Sequence, residues 1–287
     1  MRVPETDPHI NADLETVAQQ LRRSTVQIRV RGGHGSGLIV EPGVVVTNAH
    51  VAGTSKAYVV LSDGQEIPSE VVARAGHRDL ALLRVDGAGL PVAQFRDSRS
   101  LRPGDLVVAV GNPLGLAGAV TAGIVHAADL RGRHVVADVR LLPGNSGGPL
   151  ADAQGSVVGV NAMVINGLAY AISSNVVKRF VAAPNARPHI GVVTRPVSIA
   201  VMGEQRLGML VLETAARSAA SRAGLLSGDV VIGIDGGLFA GPVDLPEAID
   251  SAEVGARLRL DVVRGGRVCG IDVIVSDAAR TQNKPAA

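Results

Sequence analysis

Short apolar runs, broken every few residues by glycine, proline or charge, dominate this sequence, and helical spacing is confined to a few stretches. Leu14, Val17, Ala18 and Leu21 lie on one face of a short helix over 13–22. From Val26 the period shortens, and six strands are predicted at Val26–Val30, Gly37–Val40, Val44–Thr47, Ala57–Leu61, Glu70–Ala73 and Leu80–Val85. Six brief strands joined by turn signals suggest a small closed barrel. A second series follows at Leu106–Val110, Val120–Ala127, Val135–Asp138, Pro149–Ala151, Val157–Asn161 and Leu168–Ala171, after a connection rich in Gly, Ser, Arg and Pro over Asp86–Pro103. Ser174–Val181 reads as a closing helix capped by Ser173 or Ser174. Beyond the proline-containing linker Ala182–Pro188, strands at Ile190–Val193, Gly208–Leu212, Val230–Ile234, Leu258–Val263 and Val268–Val275 alternate with helices at Ser218–Ala223 and Leu245–Ser251. That pattern predicts a separate α+β domain.

Composition fills in this outline. The 287 residues suffice for two domains, and 46% hydrophobic against 19% charged residues is a globular balance. Aromatics are 2%, so both cores must be built from Val, Ile, Leu and Ala, while 35 glycines and 15 prolines favour an all-β chain with many turns. The net charge of +2 comes without a basic run, which argues against a nucleic-acid partner. Cys269 is alone, excluding a disulfide framework, and is expected as a small hydrophobe on a strand. No histidine pair or Cys–His cluster has ligand spacing, so no metal or other cofactor is expected. Met1–Ser24 has no apolar run, and a cytoplasmic location is expected on that ground; an upstream leader would instead make the protein periplasmic or membrane-anchored.

The sharpest chemical signal is Gly144-Asn145-Ser146-Gly147-Gly148-Pro149-Leu150. A serine hydroxyl needs a neighbouring base and a place for negative charge before it can attack a carbonyl. Glycines let the turn approach a substrate closely, and within the segment Gly144, Asn145 and Ser146 the N–H groups of Gly144 and Ser146 can converge as an oxyanion hole, worth roughly 3–4 kcal/mol per donor. His50 leaves the apolar run Val44–Val46 at a strand end, whereas His9, His34, His77, His126, His134 and His189 lie in loop or polar contexts. Asp79 opens the apolar strand Leu80–Val85 and is the carboxylate that would orient the imidazole. His50, Asp79, Ser146 is the chain order of chymotrypsin-like folds, unlike the subtilisin and α/β-hydrolase orders.

Gly35-Ser36-Gly37, Val46–Val51, Arg78–Leu83, Gly111-Asn112-Pro113-Leu114-Gly115, Thr121–Val125 and Gly144–Leu150 together resemble the HtrA/DegP group of trypsin-like serine proteases, a likeness running from Val17 to Val275. The resemblance implies a mostly β fold, a chymotrypsin-like double β-barrel over 25–181, preceded by the segment 1–24 and followed by a PDZ domain over 187–276 and a disordered tail over 277–287. It implies ATP-independent cleavage of misfolded proteins, in some members with chaperone activity. In the PDZ domain, His189-Ile190-Gly191-Val192 matches the loop that takes a peptide carboxylate, with Leu245–Ser251 as the opposite groove wall. A homo-oligomer, a trimer, is implied, although residues 1–30 lack the aromatics through which the family trimerises and the loop between Gly32 and Gly35 is short.

Asn145 stands where digestive relatives carry an aspartate that pairs with a freed amine, so activation by propeptide removal is not expected and reversible ordering of loops around Ser146 is the remaining option. The primary pocket is expected among Arg140, Leu141, Asn161, Ala162, Met163, Tyr170 and Ala171, accepting small aliphatic residues before the scissile bond. Arg140 lies where trypsin-like folds place the pocket floor; it points outward, or else it favours acidic residues there. The competing reading is a chaperone or scaffold that holds unfolded chains with little cleavage.

Overall fold

Two-residue alternation closes the first half of the chain into two barrels. The computed structural model describes residues 8–53, 56–86, 89–130, 132–201 and 203–278. They divide into two compact units between Asn185 and Ala186.

In the first unit, α1 (Pro8–Ser24) extends the helix expected over 13–22 at both ends. The Leu21 carbonyl accepts from Ser24 Oγ at 3.2 Å and Thr25 Oγ1 at 2.8 Å, and Arg22 and Arg23 complement the dipole in the last turn. The first barrel follows: β1 (Thr25–Val30), β2 (Gly33–Glu41), β3 (Val44–Thr47), the single turn α2 (Ala49–Ala52), β4 (Ala57–Val60), β5 (Glu66–Ala75) and β6 (Leu80–Val85). It closes in the order β1-β2-β3-β6-β5-β4. The second barrel repeats that connectivity as β7-β8-β9-β12-β11-β10, from β7 (Leu106–Gly111), β8 (Ala119–Leu130), β9 (His134–Asp138), β10 (Pro149–Asp152), β11 (Val157–Ile165) and β12 (Leu168–Ser173). The helix α3 (Ser174–Ala182) ends the unit.

Three apolar layers result. Val26, Ile28, Ile39, Val45 and Leu83 fill the first barrel; Val107, Ala109, Val135, Leu150 and Ala169 fill the second. Because successive strand residues face opposite sides, Val108 and Val110 of β7 instead join Leu38, Val46, Leu82 and Val160 between the barrels, where Leu21 of α1 and Phe180 of α3 also lie. The cleft edge of that layer carries the candidate site. Ser173 is the N-cap residue of α3, as expected, but neither serine hydroxyl bonds the helix's first turn. Ser173 Oγ donates to the Gly132 carbonyl at 3.4 Å, and Ser174 Oγ accepts the Ser98 N–H at 3.1 Å, both hydroxyls being drawn to neighbouring loops.

The second unit contains β13 (Pro188–His189), β14 (Val192–Val201), β15 (Glu204–Thr214), α4 (Ala219–Arg222), β16 (Val230–Ile234), β17 (Gly237–Leu238), α5 (Asp244–Ser251), β18 (Arg257–Arg264), β19 (Arg267–Ile274) and β20 (Ser276–Asp277). Its main sheet runs β14-β15-β16-β18-β19, around a core of Ile190, Val211, Leu225, Val231, Leu245, Leu260 and Val262. The expected strand at Ile190–Val193 is instead the start of the longer β14, which continues through Pro196. Proline is tolerated there because β14 is an edge strand with no neighbour on its outer side. Cys269 is on a strand as expected but exposed; it shares the phase of Ile271 and Val273, yet sits near the hairpin turn of an edge strand. Of the tail expected to be disordered, Asp277 pairs with Pro188, and 279–287 lie outside the described residues. Among the described residues, no helix is long and apolar enough to cross a membrane.

Candidate active site

Adjacent strands of the first barrel deliver His50 and Asp79. β3 and β6 pair Thr47 with Ala81, which brings the end of one beside the start of the other. After Thr47 the chain turns at Asn48 into α2, which lifts His50 off the strand. A 3-10 turn, Gly76–Arg78, ends on Asp79 in the left-handed region at φ +51°, a conformation aspartate tolerates better than most residues. Asp79 Oδ1 accepts the His50 N–H at 3.0 Å, and Oδ2 lies 2.8 Å from His50 Nδ1. The Asp79 carbonyl accepts from Ala49 N–H at 3.1 Å and from Asn48 Nδ2 at 3.0 Å. With Nδ1 held by a carboxylate, Nε2 is the atom left to take a proton. The imidazole is 51% exposed, open to an incoming chain.

The Ser146 turn rests on the same barrel. A Cβ on Gly147, whose φ is +87°, would stand 2.0 Å from the Ser36 carbonyl oxygen and 2.3 Å from Thr47 Oγ1, so only glycine fits against the strand that leads to His50. A Cβ on Gly35 would meet Val51 Cγ1 at 2.5 Å and the Ser146 carbonyl at 3.2 Å. Ser146 and Val51, the residue after His50, therefore share one immediate neighbour. Ser146 Oγ donates to the Ala162 carbonyl at 3.2 Å. Among the described residues, no acceptor meets the N–H of Gly144 or of Ser146. Asn145 is different: its N–H donates to the Leu142 carbonyl at 3.0 Å, and its side chain is buried against Gly111, so it is corrected from the set of oxyanion donors.

The expected pocket residues separate by strand phase. Ala162 lies beside Ser146 Oγ, Met163 is exposed, and Tyr170 is half-buried. Ala171 points the opposite way from Tyr170, into the core of the second barrel, and is corrected from the pocket wall. Asn161 is fully buried, its Nδ2 donating to the Pro149 carbonyl at 2.9 Å, and is likewise removed from the lining. Leu141 packs against the core of the second barrel. Val139 is buried and Arg140 exposed, so Arg140 faces outward and is not a pocket floor. Sequence reasoning passed over His134, whose ring meets Tyr170 edge-on at 6.1 Å; burial, and then the Arg133 charge, hold its pKa below the usual histidine value. In the β9–β12 register His134 lies opposite Ile172 and Tyr170 opposite Val136, a long-range pairing that the sequence alone does not carry.

In the second unit, a cavity of about 370 Å³ brings His189, Ile190, Gly191 and Val192 together with Leu245, Pro246 and Ile249 of α5.

Residues 35–160 match the model of the trypsin-like peptidase domain. The chain is 32% identical over 275 residues to a protein of a Synechocystis species named putative serine protease HhoA, covering 84% of this chain and 70% of that protein. It is 33% identical over 270 residues to a protein of Chlamydia pneumoniae named probable periplasmic serine endoprotease DegP-like, covering 86% of this chain and 55% of the relative. It thus spans little more than half the length of the DegP-like relatives. Among solved structures, the HtrA-type protease AlgW with a tripeptide superposes with a TM-score of 0.70 at 26% identity, covering 91% of this chain and 96% of AlgW. These findings overturn the expected cytoplasmic location: the relatives from Chlamydia pneumoniae, Pseudomonas putida and Halomonas elongata are named as periplasmic. The reason is physical, since a targeting segment sets the compartment and the folded body carries no mark of it. With two six-stranded barrels, a histidine–aspartate pair, a glycine-framed serine and this similarity along most of its length, the chain belongs to the HtrA/DegP family of trypsin-like serine proteases.

Proposed function

We propose that this chain is a serine endopeptidase that cleaves unfolded or misfolded proteins without ATP, through an acyl-enzyme at Ser146. The observation that carries this reading is the double grip of Asp79 on His50, by ring and by backbone, beside a serine whose turn leaves two N–H groups unmatched. In the ground state the Ser146 hydroxyl is parked on the Ala162 carbonyl. In the proposed reaction the hydroxyl leaves that carbonyl and gives its proton to Nε2 of His50 as Oγ attacks the peptide carbonyl. The oxyanion forms opposite the Gly144 and Ser146 N–H groups, and Asp79 stabilises the imidazolium. His50 then returns the proton to the departing amine, and water repeats the sequence on the ester. The residue before the scissile bond lies against Ala162, Met163 and Tyr170, which suits small aliphatic side chains.

The second unit is proposed to be a PDZ domain that takes the C-terminus of a peptide. The outer side of β14 supports strand addition, with the loop His189–Val192 at one end and α5 as the far wall. The proposed assembly is a homotrimer, which light scattering would report as three times the 29.3 kDa chain.

The test compares wild type with Ser146→Ala. Wild type is expected to be labelled by a fluorophosphonate and to degrade unfolded casein, and the variant to do neither. Degradation surviving in Ser146→Ala would remove the proposal; casein held but not cut by wild type would favour a holding protein. For the second unit, peptides with a free C-terminal carboxylate should bind and their amides should not.

A further inference from the structure

We infer that Ser36, Asn112 and Leu114 are positioning residues for the oxyanion hole, acting from two loops outside the nucleophile turn; the inference rests on the reading of Ser146 as the nucleophile. Gly144 sits at φ +104°, and glycine has no side chain to stop its two flanking peptide planes from rotating. Something else must hold them if the Gly144 N–H is to face a substrate.

Both planes are gripped by their carbonyls. The Pro143 carbonyl accepts the Leu114 N–H at 3.2 Å. The Gly144 carbonyl accepts from Ser36 Oγ at 2.7 Å. A trans peptide unit is planar with C=O and N–H pointing opposite ways. Tying Pro143 O to Leu114 therefore sends the Gly144 N–H in the opposite direction, to the unmatched side. Tying Gly144 O to Ser36 likewise sends the Asn145 N–H to its partner, the Leu142 carbonyl.

The grip from Ser36 is fixed in direction. A hydroxyl has one proton and two lone pairs. Ser36 Oγ accepts from Asn112 N–H at 2.9 Å and from Asn112 Nδ2 at 3.3 Å, so its proton is committed to Gly144. Asn112 cannot flip its amide, since Nδ2 also donates to the Val26 carbonyl at 3.0 Å and Oδ1 accepts the Gly118 N–H at 3.1 Å. Ser36 is fully buried and Asn112 nearly so. Leu114 contributes through its backbone alone: its side chain is 66% exposed, and it holds the left-handed region at φ +54°, disfavoured for leucine. Space confirms the fit, because a Cβ on Gly144 would strike the Asn112 carbonyl oxygen at 2.6 Å.

The experiment measures kcat and KM on a fluorogenic peptide, and affinity for a peptidyl boronic acid whose adduct fills the hole, for wild type, Ser36→Ala, Leu114→Gly and Leu114→Pro. Removing one oxyanion donor outright costs about 10²–10³-fold in kcat, so a loosened donor is expected to cost about 10- to 100-fold in kcat and in boronate affinity, with KM within about twofold. Ser36→Ala and Leu114→Pro should both show this loss. Leu114→Gly keeps the N–H and adopts positive φ freely, so it should lose clearly less kcat and boronate affinity than Leu114→Pro. Wild-type kcat in both Ser36→Ala and Leu114→Pro, or a loss confined to KM, overturns the inference while leaving Ser146 as nucleophile. A wild type without Ser146-dependent cleavage overturns both. If circular dichroism shows that Ser36→Ala does not fold, the contrast between the two exposed Leu114 variants decides.

Discussion

A carboxylate that takes both the backbone N–H and the ring nitrogen of one histidine fixes position and tautomer together. Asp79→Asn keeps the shape, but its amide would donate toward Nδ1 and force the proton onto Nε2, where a base is needed. The expected loss is about 10⁴-fold in kcat with little change in KM, read from initial rates on a peptide substrate; a loss below tenfold would show that Asp79 does not orient the base. His134 supplies a different prediction, on stability. Burial, and then the Arg133 charge, lower its proton affinity in the fold, while the unfolded chain protonates near 6.5. Between those two values the unfolded chain binds more protons, so the fold keeps its full stability above pH 6.5 and loses part of it as the pH falls toward the folded value. His134→Phe has no such proton. The difference in Tm between wild type and variant should therefore move in the variant's favour from pH 7.5 to pH 5 in a thermal-shift series, and a difference constant with pH would count against it.

Each barrel strand is a short alternating segment, and that is why the barrels were legible: all twelve expected strands overlap the observed ones, and the candidates His50, Asp79 and Ser146 were chosen from strand ends, glycines, chain order and the family resemblance. The pocket was less legible. A strand's phase decides whether Tyr170 or Ala171 faces out, and phase depends on which side the neighbouring barrel covers, a long-range fact. The roles of Ser36 and Asn112 were hidden for the same reason, since Ser36 meets Gly144 across 108 positions. The strand read as ending at Val193 continues to Val201 through Pro196, which an edge strand tolerates and a central strand does not. The helix α1 was read from four apolar positions, yet its place in the inter-barrel layer was not. Leu21 is 2% exposed there, so Leu21→Ala should cost about 2–5 kcal/mol in urea unfolding, against under about 0.5 kcal/mol for the exposed Gln19→Ala. Equal effects at the two positions would mean that α1 does not anchor the layer.

Separate cores make the two units separable. The apolar clusters of residues 8–185 and those of 186–278 share no member, and the boundary falls in a short segment with Pro184 and Pro188 on either side. Every group assigned to acyl transfer, from Ser36 to Tyr170, lies in the first unit, and every group assigned to peptide binding lies in the second. Cutting the chain between Asn185 and Ala186 should therefore divide the activities. The N-terminal piece is expected to keep Ser146-dependent fluorophosphonate labelling within about threefold of the intact rate, as an autonomous domain would. The C-terminal piece is expected to bind a free-acid peptide with unchanged affinity and to melt in a single transition of its own. An N-terminal piece that folds by circular dichroism yet no longer labels would show that the second unit supplies part of the catalytic geometry. The assignment of chemistry to the barrels alone would then fail.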